Sequence, residues 1–398
     1  MRSGSVCSFA TTATTTTTAA AKPPVPESAT WHLRASRVVL DFSPAEPDRW
    51  PVSWSESNVL VFARGNRVIC KDMSANDTVG QQLCKLSDHV GQVRLIECAR
   101  ARPNVVAVCT DRSQIEVWDL AAKKLMTKWT TDPATAMHWN GMVLTVGGER
   151  GRIRHFDIRE EARGSKEVKK KNFTRHNSAI RSVAWNADGK LFASGDESGV
   201  VLVWDSRQNA PLDVGELVQR RNKIQHNGAV HALAWCPWLP NLFATGDSAK
   251  DGTGTIKVWN MTPPSSKRAS THPTTVELDA EVTSLHFSPH CKELLSTHGP
   301  GKSTPAAPVD HLDAHATPAE PIRSRIANSV VVHSYPSLRQ VTNTQVAGNC
   351  VAGSVLSPNG QRVAIAIPKD SKLNVWEVWG KQKELRRSSS VMSMCTIR

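Results

Sequence analysis

Apolar residues recur at every second position through most of the chain, in short runs separated by polar turns. That period belongs to half-buried β-strands rather than helices. Between residues 50 and 380 the runs follow one order: a strand ending in Trp or another aromatic, a turn, a strand of small and β-branched residues, a second turn, and a strand closing on Trp-Asp or a close variant. Residues 176–205 (HNSAIRSVAWNADGKLFASGDESGVVLVWD) and 226–260 (HNGAVHALAWCPWLPNLFATGDSAKDGTGTIKVWN) show it most completely. Both open on His, alternate toward a Trp, continue through Leu-Phe-Ala and close on Val-Trp. Weaker copies lie at 52–70, 89–119, 136–157, 282–333 and 346–376, which makes seven units.

Setting aside the Pro/Ala/His-rich insert 300–328, the span divides into units of about 43 residues, within the roughly 40–45 of WD repeats. Eight of the 13 Trp (54, 118, 139, 185, 204, 235, 259 and 376) are read as one equivalent strand position whose ring fills the gap between stacked blades. The expected fold is all-β: a seven-bladed propeller of four-stranded antiparallel sheets over 31–380. The His and turn Asp that accompany the Trp in such repeats look mostly incomplete. Ser198 stands where unit four calls for Asp, and Asp370 of the last unit has Asn349 where His is usual. Residues 1–30 are Thr/Ala-rich and expected to be disordered, and they lack the apolar stretch of a secretory signal. Residues 381–398 form a basic tail.

Composition narrows the function. No apolar run reaches 18 residues, so no membrane-spanning helix is expected. The nine Cys are scattered without a CxxC pair, which argues against a disulfide framework or zinc ribbon and for a reducing compartment. The net charge is +13, but 159–175 and 381–398 carry +4 each, without interleaved aromatics. This charge reads as solvated loop and tail rather than a nucleic-acid groove.

Unit five carries more than repeat residues. Ala232-Leu233-Ala234-Trp235-Cys236-Pro237-Trp238, Asn241 and Ala244-Thr245-Gly246 resemble the Fizzy family, the WD-repeat activators of the anaphase-promoting complex, mitotic and Fizzy-related types. Phe287-Ser288-Pro289-His290, Lys292-Glu293-Leu294, Ser296-Thr297-His298-Gly299, Tyr335-Pro336-Ser337-Leu338 and Ser357-Pro358-Asn359-Gly360 are similar to the family's sequence as well, and the resemblance covers about 37–380. The chain ends Ile397-Arg398, as the family does, and a free carboxylate, a guanidinium and an aliphatic side chain on a tether suit a helical-repeat groove.

The resemblance implies a non-enzymatic adaptor that binds degrons and presents them to the ubiquitin ligase in cell-cycle-regulated degradation, in nucleus and cytoplasm. It implies a destruction-box receptor beside blades one and seven, where Leu40-Asp41 matches the entry to the propeller and Asp41 would pair the degron Arg. The family's second acid falls at Ser371, with Asp370 adjacent. The KEN-box receptor departs from the family: Glu197 and Gly199 replace an Asn-x-Asn pair, and Cys350 stands where an Arg is usual. That implies no KEN-box binding of the family's kind. The C-box is not found, since Asp48-Arg49-Trp50-Pro51 has only a passing similarity to it.

Two other readings stay open: a substrate receptor of a cullin-RING ligase, cued by Phe156-Asp157-Ile158-Arg159 and Trp204-Asp205-Ser206-Arg207, and a WD-repeat scaffold without degron binding. No cofactor or metal is expected. Gly299-Pro300-Gly301-Lys302-Ser303-Thr304 lacks the first glycine of a phosphate loop and reads as an irregular turn. His286/His290 and His311/His315 have a spacing that pairs ligands only on a helix.

Overall fold

A computed structural model of the chain describes residues 25–46, 49–75, 80–159, 172–208, 210–218, 221–261, 272–302 and 324–380. The Thr/Ala-rich start, the middle of the blade-six insert and the tail from 381 lie outside these.

The period-two runs form seven antiparallel sheets. The first strand, β1 (Arg34–Asp41), stands apart from the blade that follows it in sequence. Blade one is β2 (Val52–Trp54), β3 (Val59–Arg64), β4 (Arg67–Asp72) and β5 (Gln81–Lys85). Blade two is β6 (Val93–Cys98), β7 (Val105–Thr110), β8 (Gln114–Asp119) and β9 (Lys124–Thr130). Blade three is β10 (Ala134–Asn140), β11 (Val143–Gly148), β12 (Arg152–Asp157) and β13 (Asn172–Thr174). Blade four has five strands, β14 (Ile180–Trp185), β15 (Leu191–Asp196), β16 (Val200–Asp205), β17 (Glu216–Val218) and β18 (Arg221–Gln225), with β18 between β16 and β17. Blade five is β19 (Ala229–Trp235), β20 (Leu242–Ser248), β21 (Gly254–Asn260) and β22 (Thr274–Leu278). Blade six is β23 (Ala280–Phe287), β24 (Glu293–Gly301), β25 (Ser329–Ser334) and β26 (Arg339–Gln345). Blade seven has three local strands, β27 (Gly353–Leu356), β28 (Arg362–Ile367) and β29 (Lys372–Glu377), and β1 completes it.

β1 pairs antiparallel with β29, with Leu40 opposite Leu373 and Asp41 opposite Lys372. The N-terminal strand therefore closes the ring, and the seam between blades seven and one is a covalent crossing point. Sequence reading placed Leu40-Asp41 before blade one but did not assign them to blade seven.

Burial follows from position within a blade. The second strand is covered on both faces by neighbouring blades, so β7 (VVAVCT) is buried throughout and reads as an unbroken apolar run. The outermost β9 (KLMTKWT) alternates exposed and part-buried positions instead. Seven apolar clusters each join one blade to the next. Close approach is set by glycine: a Cβ on Gly147, Gly195 or Gly246 would lie 2.6, 2.7 and 2.6 Å from Ile180, Val230 and Val282, the β-branched residue of the next blade.

The Trp form two sets rather than one. Trp54, Trp139, Trp185 and Trp235 lie at or next to the end of first strands, and Trp118, Trp204, Trp259 and Trp376 on third strands. Both meet the intervening strand: Phe192 is opposite Trp185 on one side and Trp204 on the other, with ring centroids 4.6 and 5.6 Å away.

The polar set of blade four is complete, which corrects the expectation that it lacks its acid. Asp196, not position 198, supplies the carboxylate. Trp204 Nε1 donates to Ser194 Oγ (2.9 Å), Ser194 Oγ lies 2.7 Å from His176 Nε2, and His176 Nδ1 lies 2.7 Å from Asp196 Oδ2. An indole N–H only donates and a carboxylate only accepts, so Ser194 Oγ accepts from Trp204 and the His176 Nδ1–H donates to Asp196. Blade five keeps the Trp259–Thr245–His226 part of the arrangement, but His226 Nδ1 lies 3.6 Å from Asp247 Oδ2, beyond a hydrogen bond, and Asp247 accepts backbone N–H groups instead. Blade six rewires it as His298, Ser296 and His333.

Residues 25–33 lie along blades six and seven. Ser28 Oγ donates to Glu293 Oε1 (2.6 Å), His32 Nε2 lies 2.9 Å from Oε2, and Glu293 is fully buried. Gly380 N–H donates to the Trp31 carbonyl (2.9 Å), so this strap also holds the point where the chain leaves blade seven.

Candidate functional site

Asp41 sits at the last position of β1, on the rim where second strands turn into third strands. Phe42 N–H donates to the Ser371 carbonyl (2.9 Å), which brings Asp41 and the short 3-10 turn Pro368–Asp370 to the same edge of the blade-seven/blade-one seam. Leu40 points the other way: it is buried with Phe42, Val52 and Trp54 in the seam core and anchors the strand. The Asp41 carboxylate is 84% exposed and lies 3.5 Å from Arg64 Nη2 of blade one. Asn349 Nδ2 donates to Asp370 Oδ1, so the residue in the usual His position does reach its turn acid, at the surface rather than in the core. Arg64 was not foreseen, because no feature of its unit in the sequence points across to β1.

Inside this rim the first strands converge on a channel whose mouth encloses about 790 Å³, lined among others by Glu46, Arg49, Arg181, His231, Glu281 and Cys350. The arginines are paired internally: Arg49 Nε lies 3.6 Å from Glu46, Arg94 Nη2 2.8 Å from Glu149 and Arg181 Nη2 3.0 Å from Glu197. Burial, then Arg94 and Arg181, lower the pKa of Arg49. Burial first, then Arg181 and Arg49, pull His231 down to about 4, so it is neutral at pH 7.

The residues at the KEN-receptor positions are committed elsewhere. Glu197 is held by Arg181, and Gly199 has φ +87° with the His226 carbonyl oxygen 2.3 Å from where a Cβ would lie. A side chain at 199 would strain the turn, so the Asn-x-Asn pair of the family cannot be restored there without moving the backbone.

On the opposite face, Arg159 and Arg207 fold back on Asp157 and Asp205, each with Nη2 2.6 Å from a carboxylate oxygen. The guanidiniums remain 64% and 80% exposed. The two described histidines of the suspected metal pair go to separate partners, His286 Nε2 to Ser354 Oγ (2.9 Å) and His290 Nε2 to the Asn359 carbonyl (2.7 Å). His311, His315, Ile397 and Arg398 lie outside the described residues. Gly299–Gly301 belong to β24 rather than to an irregular turn.

Comparison with known proteins agrees with the repeat pattern. The WD domain, G-beta repeat model matches residues 167–205. "Cell division cycle 20.5, cofactor of APC complex" of Arabidopsis thaliana is 27% identical over 342 residues, covering 85% of this chain and 66% of the relative. "WD repeat-containing protein slp1" of Schizosaccharomyces pombe is 27% identical over 330 residues, covering 82% of this chain and 58% of the relative. The chain thus spans about three fifths of the length of these curated relatives. A chain in the solved structure "Crystal Structure of Mitotic Checkpoint Complex" superposes with a TM-score of 0.66 at 24% identity, covering 93% of this chain and 99% of that one, which establishes the shared fold. The chain is a seven-bladed WD-repeat propeller similar to proteins that include ones named as cofactors of the APC complex.

Proposed function

We propose that this chain is a substrate-recognition adaptor of the anaphase-promoting complex, acting in cell-cycle-regulated protein degradation in the nucleus and cytoplasm. The observation that carries the reading is similarity along 85% of the chain to a relative named as a cofactor of the APC complex. On this reading Ile397 and Arg398 dock into a helical-repeat groove of the ligase. A destruction box lies across the seam between blades seven and one, with its Arg on Asp41. Asp370 adds a second carboxylate to that rim.

The geometry sets the size of the effect. Asp41 is exposed and already neighboured by Arg64, so the degron Arg exchanges one exposed ion pair for another. Such pairs contribute about 0.2–1 kcal/mol, and Asp41→Ala should weaken binding of a fluorescein-labelled Arg-x-x-Leu peptide by roughly two- to fivefold. Arg64→Ala should tighten it by freeing the carboxylate. Unchanged affinity in both variants would remove Asp41 from the site. Docking is tested by pulling down ligase subunits with the full chain and with a chain lacking residues 397–398. Equal capture by both would sink the tail assignment.

The exposed Arg159 and Arg207 on the opposite face favour a second reading, a cullin-RING receptor. Capture of a cullin complex that is lost in Arg159→Ala/Arg207→Ala would support it over the first.

A further inference from the structure

On the face opposite Asp41, the strap of residues 25–33 starts beside an aromatic surface that neither reading uses. The Lys292 N–H donates to the Pro26 carbonyl (2.9 Å), and the Lys292 carbonyl accepts the Tyr335 N–H (2.8 Å). Lys292 therefore links Pro26 directly to Tyr335. The Tyr335 ring meets Trp238 of blade five, with centroids 5.4 Å apart and planes at 61°. Trp238 Nε1 donates to the Ser288 carbonyl (3.1 Å), which ties the turn after β19 to the turn after β23. Both rings are half-buried against the apolar cluster of blades five and six. Their sequence neighbours Pro237, Leu239, Pro240 and Pro336 are exposed, Leu239 by 44%. Apolar side chains gathered this way on a surface mark a contact site, whereas single exposed ones do not.

The strap gives the direction of approach. Followed backward, it leaves the exit of blade seven, where the Thr30 N–H donates to the Gly380 carbonyl (3.3 Å). It then passes Glu293, whose Oε1 accepts the Ala29 N–H (3.3 Å), and reaches Lys292 at Pro26. Continued upstream, the same course runs from blade six toward blade five. The residues there are Lys22-Pro23-Pro24-Val25, and Val25 is already half-buried. Proline favours a polyproline II helix of about 3.1 Å per residue, so Pro23 reaches about 9 Å beyond Pro26. Such a segment presents pyrrolidine faces and carbonyl acceptors, and aromatic surfaces bind it because little conformational entropy is left to lose.

We infer that the chain's own Lys22-Pro23-Pro24 segment docks on the Trp238–Tyr335 surface and keeps it closed to Pro-rich segments of other proteins. Composition and position exclude the chain's other segments as occupants. Residues 381–398, which follow Gly380 on this face, contain no proline. The proline-containing insert leaves the end of β24 and returns at the start of β25, both on the Asp41 face.

Tyr335 is the single tyrosine of the chain, so fluorotyrosine labelling of the full chain gives one fluorine NMR signal, and it reports on this surface. Pro23→Ser/Pro24→Ser should shift that signal, and Thr16→Ser/Thr17→Ser should leave it in place. A fluorescein-labelled peptide of residues 18–25 should bind the Pro23→Ser/Pro24→Ser chain about tenfold more tightly than the wild type, because the tethered segment competes at roughly millimolar effective concentration. Trp238→Ala, added to that variant, should weaken the peptide about tenfold, as for a central aromatic anchor. Leu239→Asp should also weaken it, and because Leu239 is exposed this change keeps the two rings and the fold in place if Trp238→Ala does not fold. An unmoved fluorine signal in Pro23→Ser/Pro24→Ser would overturn the proposal. So would equal peptide affinity for that variant and the wild type, which would show a surface open to a partner's Pro-rich segment. Peptide binding unchanged by both Trp238→Ala and Leu239→Asp would overturn it as well, by placing the segment elsewhere.

Discussion

Asp196→Asn is the sharpest test of the blade-four polar chain. Asp196 is 1% exposed and accepts four hydrogen bonds: His176 Nδ1 (2.7 Å) on one oxygen, and Ser198 N (2.9 Å), Ser198 Oγ (2.7 Å) and Val200 N (2.9 Å) on the other. The amide of Asn can keep only one side of this arrangement. With its oxygen on the turn, its NH₂ meets the Nδ1–H of His176, donor against donor. With the amide flipped, the turn donors lose their acceptor. Losing one charge-assisted bond and leaving a buried donor unpaired costs about 3 kcal/mol. Unfolding entropy of about 2.1 cal/mol/K per residue over the roughly 300 described residues turns this into a fall of about 5 °C in Tm. Calorimetry measures it directly. The acid limb supplies a second check. Burial pushes the Asp196 carboxyl up, but the bonds from His176, Ser198 and Val200 outweigh it, so its pKa lies below the usual value. A carboxylate of that kind stabilises the fold above its unfolded pKa of about 3.9 and loses the contribution as pH falls through the folded value. The gap between wild type and Asp196→Asn should therefore be full at pH 6 and close below about pH 4. A change in Tm of less than 1 °C at pH 6, or additivity between Asp196→Asn and His176→Ala within about 0.5 kcal/mol, would refute the directional chain.

Further outcomes follow from other contacts. Gly195→Ala places a Cβ against Val230 and Ser182 and should destabilise by about 1–3 kcal/mol, read as a lower Tm; Gly141→Ala, which meets nothing within 4 Å but has φ +59°, is the control for backbone strain alone. Burial pushes the Glu97 carboxyl up to about 8, with Arg100 opposing it. Its contribution to stability is thus present below the unfolded pKa of about 4.3 and lost as pH rises through 8. Glu97→Gln should raise Tm relative to wild type at pH 9 and lose that advantage near pH 4. Glu293→Ala removes the acceptor of Ser28 and the partner of His32, and should open residues 25–33 to chymotrypsin, which cleaves after Trp31 and Leu33, at a rate at least about tenfold above wild type.

Much of the fold was legible because its cause is local. Alternation marks half-buried strands, and unbroken runs such as Val105–Thr110 mark strands covered on both faces. What escaped is non-local. The sequence unit containing Asp370 has only three strands, and nothing within it says that residues 34–41, some 330 positions earlier, supply the fourth. The two Trp sets looked like one because each is a Trp near a strand end, and only the pairing with Phe192 from both sides separates them. Asp196 was overlooked because spacing alone pointed to 198, whereas the tight turn at Gly199 brings the earlier carboxylate under His176. At the candidate site, Asp41 and Asp370 were named from family resemblance. Asn349 was paired with Asp370 by its place in the same unit, whereas Arg64 belongs to another blade and needed coordinates.

Closure by β1 also fixes an order of events during synthesis. β1 leaves the ribosome first, but its partner β29 follows some 330 residues later. Until then the strand has no lateral neighbour, and the growing stack of blades presents an open edge at each end. Ring closure is a contact between the two ends of the propeller, and contacts of such sequence separation form late and slowly. The interval is the window in which the nascent chain is most exposed to pairing with the wrong strand. Substitutions in Arg34–Asp41 should therefore lower the yield of folded protein more than they lower the stability of what does fold.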